Sequence, residues 1–232
     1  MKIKKLCMAG LFCALAIAST YIMHIKVMFL TFDAKDAVIT IAGLLFGPIY
    51  SISISLVVSL VEFLSIGDAG FWGFLMDFLS TALFSTVCAL IYKYKKNIKG
   101  AVIGLVSAIF AMTAFMLLFN LFIVPIYTPN FTTAAVAKMI PTLFLPFNLT
   151  KALLNAAIVL VLYKPASIAM KAARVLPSRT LLSDDADAMT REEKRRKNLI
   201  FSLVVTGVGV VIAALCVVVF LVFLGGSFGF GA

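Results

Sequence analysis

Hydrophobic residues run along this chain in long blocks, separated by short polar punctuation. A helix that crosses a bilayer needs about 20 apolar residues. Reading the blocks on that scale predicts seven helical segments, at residues 6–25, 36–47, 48–66, 70–92, 100–126, 142–163 and 199–224. The second is short, and Gly47-Pro48 divides it from the third with no polar loop between them. A helix stops before a proline and glycine permits the tight turn, so residues 36–66 read as a helical hairpin. Segment two then need not span by itself.

Residues 165–198 form the long polar stretch of the chain. Pro165–Leu176 reads as a short amphipathic helix on the inner membrane surface. Ser183–Asp187 is acidic, and Thr190-Arg-Glu-Glu193 is a capping box from which a helix enters segment seven. The tail Gly225–Ala232 is small and flexible in character and carries no signal. Three parts result: a six-segment region over 1–165, a cytoplasmic linker over 166–198, and an additional helix with its tail over 199–232.

Composition raises this pattern to a class. The chain is 63% hydrophobic and 13% charged, with a mean hydropathy of +1.13. That is an all-α, polytopic integral membrane protein. The net charge of +10 would suggest nucleic acid in a soluble protein, but here the basic residues gather between the apolar spans. Sixteen of the 20 lysines and arginines fall on one side if seven segments cross; Lys26, Lys35 and Lys138 fall on the other, and Lys151 lies inside a span. The positive-inside rule then puts the N-terminus in the cytoplasm and the C-terminus outside. A cleaved signal peptide would fit Lys2–Lys5, an apolar stretch and Ala16-Ile-Ala18, but apolar character continues through Thr20–Met23, which favours a retained helix.

Much chemistry is excluded. The cysteines Cys7, Cys13, Cys88 and Cys216 are scattered in or beside apolar spans and form no CxxC pair, so neither a metal site nor a disulfide framework is supported. His24 is the one histidine, too few for most histidine-based metal or relay chemistry. No GxxxxGK[ST] loop, HExxH motif, paired carboxylates or nucleophile–base set is present. An enzyme is therefore not expected, and uphill transport would draw its energy from another subunit or an ion.

The polar residues in and beside the spans are few. Lys151 lies about a turn and a half inside the sixth, where insertion near the bilayer centre costs roughly 2.5–3.5 kcal/mol. Asn148 stands three residues earlier and shares its face, while Pro146 loosens the turn from which both project. Two readings stand: a lysine turned toward a cavity, partner or ligand, and one that snorkels to the interface. Asn120, near the outer end of segment five, offers either a ligand-binding amide or an interhelical hydrogen bond worth about 0.6–2 kcal/mol. Glu62 and Asp77 flank an outer loop and read as snorkelling or interfacial carboxylates. His24, Asp33 and Asp36 belong either to an ordinary wet loop or to a site there. Trp72 and Tyr127 sit where an aromatic belt would place them. In the first segment, Gly10/Ala14 and Ala9/Cys13 are small-xxx-small pairs, open to intramolecular packing or to a partner helix.

Taken together, several stretches resemble the substrate-binding (S) components of energy-coupling factor (ECF) vitamin transporters, in particular the riboflavin-specific branch. They are Phe29-Leu-Thr-Phe-Asp33-Ala-Lys-Asp36 running into Ala42-Gly-Leu-Leu-Phe-Gly47-Pro48, then Gly73-Phe-Leu-Met-Asp77, Asn120 with Pro125-Ile-Tyr127, and Pro146-Phe-Asn148-Leu-Thr-Lys151. The resemblance covers about residues 1–165, and the last motif is its most specific part. It implies a six-helix bundle that captures riboflavin on the outer side of a bacterial cell membrane. A membrane coupling (T) protein and two cytoplasmic ATPase subunits would complete the importer. By position it implies flavin contacts from Asn120, Asn148 and Lys151, with Thr31 and Asp33 on the loop that closes over the ligand. The small-residue face of the first helix, Gly10/Ala14 or Ala9/Cys13, would meet the coupling protein. Two departures stand out: Asp77, where that family more often has asparagine, and the charged linker with its seventh helix.

Riboflavin suits these groups. Asparagine answers the donor–acceptor edge of the flavin ring, an ammonium donates to carbonyls or hydroxyls, and Phe29, Phe32 or Phe147 offers a stacking face. The absence of an arginine cluster argues against a phosphorylated flavin. The competing readings are another vitamin or related flavin, an ion-coupled secondary transporter, for which no inverted repeat is visible, and a membrane enzyme or scaffold.

Overall fold

A computed structural model describes residues 2–22, 24–27, 30–66, 70–128, 132–172, 188–219 and 227–228. Helix α1 (Lys2–Ile22) leads into a hairpin of β1 (His24–Val27) and β2 (Leu30–Asp33), paired antiparallel with His24 opposite Asp33 and Val27 opposite Leu30. Helices α2 (Lys35–Phe46), α3 (Pro48–Ile66), α4 (Gly70–Tyr94) and α5 (Ile98–Tyr127) follow. A sixth rod is built from α6 (Thr133–Met139), a π-helical turn (Ile140–Phe144) and α7 (Leu145–Ala172). Helix α8 (Ala188–Val218) and a short strand β3 (Ser227–Phe228) come last.

Each predicted segment is a helix, and the differences have local causes. The sixth rod starts earlier than predicted because the Thr132 side chain accepts a hydrogen bond from the Ala135 N–H and caps a turn ahead of Pro141. Pro141 supplies no N–H, and the ladder loosens there into the π turn. At its other end α7 runs through Pro165 to Ala172, so the first half of the predicted amphipathic helix continues this rod. Helix α8 begins two residues before the capping box at Thr190. The acidic stretch Ser183–Asp187 and Phe29 lie outside the described residues.

The α2–α3 hairpin is confirmed. Gly47 takes φ +107°, a conformation that favours glycine, and its N–H bonds to the Gly43 carbonyl at 2.8 Å. Gly43 allows the two helices to touch: a Cβ there would lie 3.0 Å from Ser51 Cβ and 3.2 Å from Ala89 Cβ. Helix α2 has 12 residues, which reach about 18 Å, short of the roughly 30 Å of a hydrocarbon core. It is buried on nearly all sides and packs against α1, α3, α4 and α7. It is the central post of the bundle.

Among the described residues, five helices, beginning at Ile3, Pro48, Gly70, Ile98 and Thr133, are long and apolar enough to cross a membrane, and the apolar part of α8, Leu203–Val218, is shorter. Their outward faces carry large apolar side chains such as Leu60, Phe110, Phe122 and Leu203, as lipid contact requires. Inside, small polar residues line the seams: Ser51, Ser55 and Ser59 recur every fourth residue on one buried face of α3.

Candidate functional site

The site lies at the end of the bundle that carries the β-hairpin. The chain enters α2 there through Asp33-Ala-Lys-Asp36, and all three charged residues point inward and are buried. Lys35, the least accessible at 0% exposure, extends its ammonium toward α3 and α4. Its Nζ lies 2.7 Å from Asp77 Oδ1, forms an ion pair with Glu62, and stands 3.6 Å from Asp33 Oδ2. The other Asp77 oxygen accepts from the Ser59 hydroxyl at 2.6 Å. Carboxylate oxygens of Asp33, Glu62 and Asp77 lie within 4.8 Å of one another, a spacing able to hold a metal ion. The Lys35 ammonium is the cation that stands among them.

Lys151 answers from α7. It is 5% exposed, so its stem does not snorkel to water. Its Nζ lies 3.4 Å from the Thr31 carbonyl on β2, 3.7 Å from Asp33 Oδ2 and 3.8 Å from Asp36 Oδ2. Asp36 is also held by the Thr81 hydroxyl at 2.6 Å and by Asn155 Nδ2 at 3.4 Å. One turn below Lys151, Asn155 accepts from the Ala37 N–H at 3.0 Å and thereby pins the start of α2 against α7. Two lysines and four carboxylates from five elements thus form one continuous network. Buried charges persist only when paired in this way.

The predicted residues divide within this arrangement. Thr31, Asp33 and Lys151 meet directly. Asn148 and Asn120 are buried on α7 and α5, but among the described residues neither hydrogen-bonds to the network. Each amide instead donates one N–H to a carbonyl of its own helix: Asn148 to Phe144 at 2.8 Å, and Asn120 to Met116 at 2.7 Å. Among the described residues no hydrogen bond uses the amide oxygen of either. Phe32 and Phe147, two of the predicted stacking residues, share a buried apolar cluster with Leu154 and Cys216.

The interfacial reading of Glu62 and Asp77 is corrected, and two open choices narrow. Glu62 and Asp77 are partners of Lys35, not interfacial carboxylates, because helix packing brings a buried ammonium to them. Asp33 and Asp36 are not wet-loop residues, since the chain turns inward before α2 begins. The two small-xxx-small pairs of α1 differ: Gly10 and Ala14 are exposed, whereas Ala9 and Cys13 pack against the core. Sequence reasoning missed Lys35, Thr81 and Asn155. Asn155 carried a usable signal, being one turn beyond Lys151 on the same face.

A separate cleft of about 320 Å³ lies at the opposite end of the bundle, lined by Gly47, Tyr50, Tyr92, Lys93, Lys96 and Tyr163 among others. The Tyr92 and Tyr163 hydroxyls meet there at 2.5 Å. None of the predicted ligand residues borders it.

Comparison with known proteins bears on the same region. The family model for the ECF transporter substrate-specific component matches residues 4–163. The riboflavin transporter RibU of Staphylococcus aureus (strain TCH60) is 30% identical over 142 residues, covering 59% of this chain and 74% of that protein. The riboflavin transporter FmnP of Bacillus subtilis (strain 168) is 27% identical over 165 residues, covering 65% and 85%. A solved S component of a bacterial ECF transporter superposes with a TM-score of 0.62 at 27% identity, over 74% of this chain and 99% of the other.

Proposed function

Because the chain belongs to the substrate-specific components of ECF transporters, we propose that it captures riboflavin at the hairpin end of the bundle. That end faces outward, in agreement with the sidedness of the basic residues. A membrane coupling protein and two cytoplasmic ATPase subunits then drive delivery inward, since the chain carries no nucleotide-binding motif. The two relatives named as riboflavin transporters support the choice of vitamin.

One observation carries the reading. Beneath the hairpin, a buried ammonium, a buried carboxamide one turn away and buried aromatic rings converge on α7 and β2. The shortest contact of Lys151 is 3.4 Å, long against the roughly 2.7–2.9 Å of a charge-assisted hydrogen bond. The ammonium therefore keeps donor capacity for flavin carbonyls or ribityl hydroxyls. Asn120 and Asn148 each retain an amide oxygen and one N–H, the complement of an imide edge. Phe32 and Phe147 give the flat ring an apolar wall. All five arginines lie beyond residue 170, outside the segments that form this site, which disfavours a phosphate-bearing ligand.

Purified protein should quench riboflavin fluorescence stoichiometrically, and the flavin should co-purify with it. If micromolar riboflavin is not quenched while another vitamin protects the protein against thermal unfolding, the substrate assignment is wrong and the family assignment stands.

A further inference from the structure

The family match ends at residue 163, so α8 and β3 lie outside the common core. We propose that these appended elements form a strap that positions the β-hairpin over the Lys151 site and slows its opening.

Two independent attachments support this. The first is helical. Helix α8 packs along α7, and the backbones come near each other at Gly209, where a Cβ would lie 3.2 Å from the Ala157 carbonyl oxygen and 3.4 Å from Val161 Cγ2. Two turns further on, Cys216 is buried in one cluster with Phe32 of β2 and with Phe147 and Leu154 of α7. Ile212, Ala213 and Val217 pack against that cluster. Helix α8 therefore contributes to the apolar cluster that holds Phe32 of β2.

The second attachment is a strand. β3 pairs antiparallel with β1, Ile25 opposite Phe228 and Lys26 opposite Ser227, giving the order β2-β1-β3. A two-stranded hairpin is marginal by itself and is stabilised by a further strand or by packing against a helix; here β3 adds the strand. The tail, which the sequence marks only as small and flexible, thus completes a sheet. Because the Thr31 carbonyl of that sheet meets Lys151, holding the sheet holds the cover of the site.

Among the described residues, Gly209 makes no hydrogen bond or ion pair with the charged groups of the site, and β3 is placed by its pairing with β1, which makes the strap separable from the ligand contacts. The decisive measurement is hydrogen exchange of the amides of residues 24–27 and 30–33 in the full-length protein without ligand. One of two neighbouring strand residues donates its N–H to the partner strand, so Ser227→Pro with Phe228→Pro removes that bond without entering the helical bundle. Exchange in the hairpin should quicken by about tenfold in this variant. Gly209→Leu should do the same, and Gly209→Ala should stay near wild type. Unchanged hairpin exchange in the proline pair overturns the strap, and unchanged exchange in Gly209→Leu alone overturns the part assigned to α8. A second readout rests on the riboflavin reading: flavin should dissociate faster from both variants while its association rate holds. If wild type binds no flavin, that reading fails and the exchange result still decides the strap.

Discussion

The ammonium of Lys35 lies 2.7 Å from Asp77 Oδ1, joining the first residue of α2 to the second turn of α4. This pair, with Glu62 and Asp33 around it, ties three helices together at the hairpin end of the bundle. Removing one member of a buried ion network leaves the others uncompensated, at a cost of about 3–5 kcal/mol. Lys35→Met should therefore lower the thermal midpoint sharply, because three carboxylates remain within 4.8 Å of one another. Asp77→Asn should cost far less, since its amide oxygen still accepts from Lys35, its amide N–H can donate to the Ser59 oxygen, and three carboxylates still face the two lysines. In the Lys35→Met background, Asp77→Asn should restore part of the lost stability. Thermal unfolding of the four proteins in one detergent tests the cycle; additive losses would show that the two groups do not couple.

Lys151 should separate binding from insertion. Lys151→Met removes a charged donor from the flavin pocket, and hydrogen bonds to charged groups are worth roughly 1.5–3 kcal/mol, or about 10- to 150-fold in affinity. Membrane insertion should hold or improve, because an intramembrane charge has been removed, while the folded protein loses stability as Asp33 and Asp36 lose a partner. Flavin titration by fluorescence and the yield of folded protein read the two effects separately. Unchanged flavin affinity in a well-folded variant would exclude Lys151 as a ligand group.

How much of this was legible follows from where each polar group sits. Asn148 and Lys151 stand in an apolar run, where the sequence narrows the choice to a buried partner or a snorkelling lysine. Lys35, Glu62 and Asp77 stand at segment ends, where headgroups and water offer an equally ordinary environment. Lys35 and Glu62 are 27 residues apart, and their pairing is set by how α2 lodges between α3 and α4, which no local pattern encodes. The hairpin was hidden for a different reason: Val27-Met-Phe-Leu30 contains none of the glycine, asparagine or proline that marks a tight turn. The helical core, by contrast, follows from apolar block length and from Gly47-Pro48, both of which are local.

The two asparagines should respond alike despite sitting on different helices. Each uses one N–H on its own helix carbonyl, so the bundle does not rely on them for an interhelical bond. Asn120→Leu and Asn148→Leu should each weaken riboflavin binding by about 5- to 10-fold, the worth of a neutral hydrogen bond near 1 kcal/mol. Thermal stability of the ligand-free protein should change little. Wild-type affinity in both variants, measured by fluorescence titration, would remove the amides from the site.

The split on α1 yields the sharpest test of assembly. Gly10 and Ala14 are exposed, and a Cβ added at Gly10 meets no atom within 4 Å. Ala9 and Cys13, one position away, pack against the core. If the exposed pair is the docking face for the coupling protein, Gly10→Leu with Ala14→Leu should block close helix approach there. Co-purification with the coupling protein and ATPase subunits should then fall, while flavin binding and thermal stability of the isolated chain stay at wild type. Ala9→Leu with Cys13→Leu should do the reverse and lower the stability of the isolated chain, because overpacking a filled seam costs about 1–3 kcal/mol. The contrast between the pairs matters more than either alone. Were both to lose assembly only in proportion to lost stability, α1 would be a packing helix and the coupling protein would dock elsewhere.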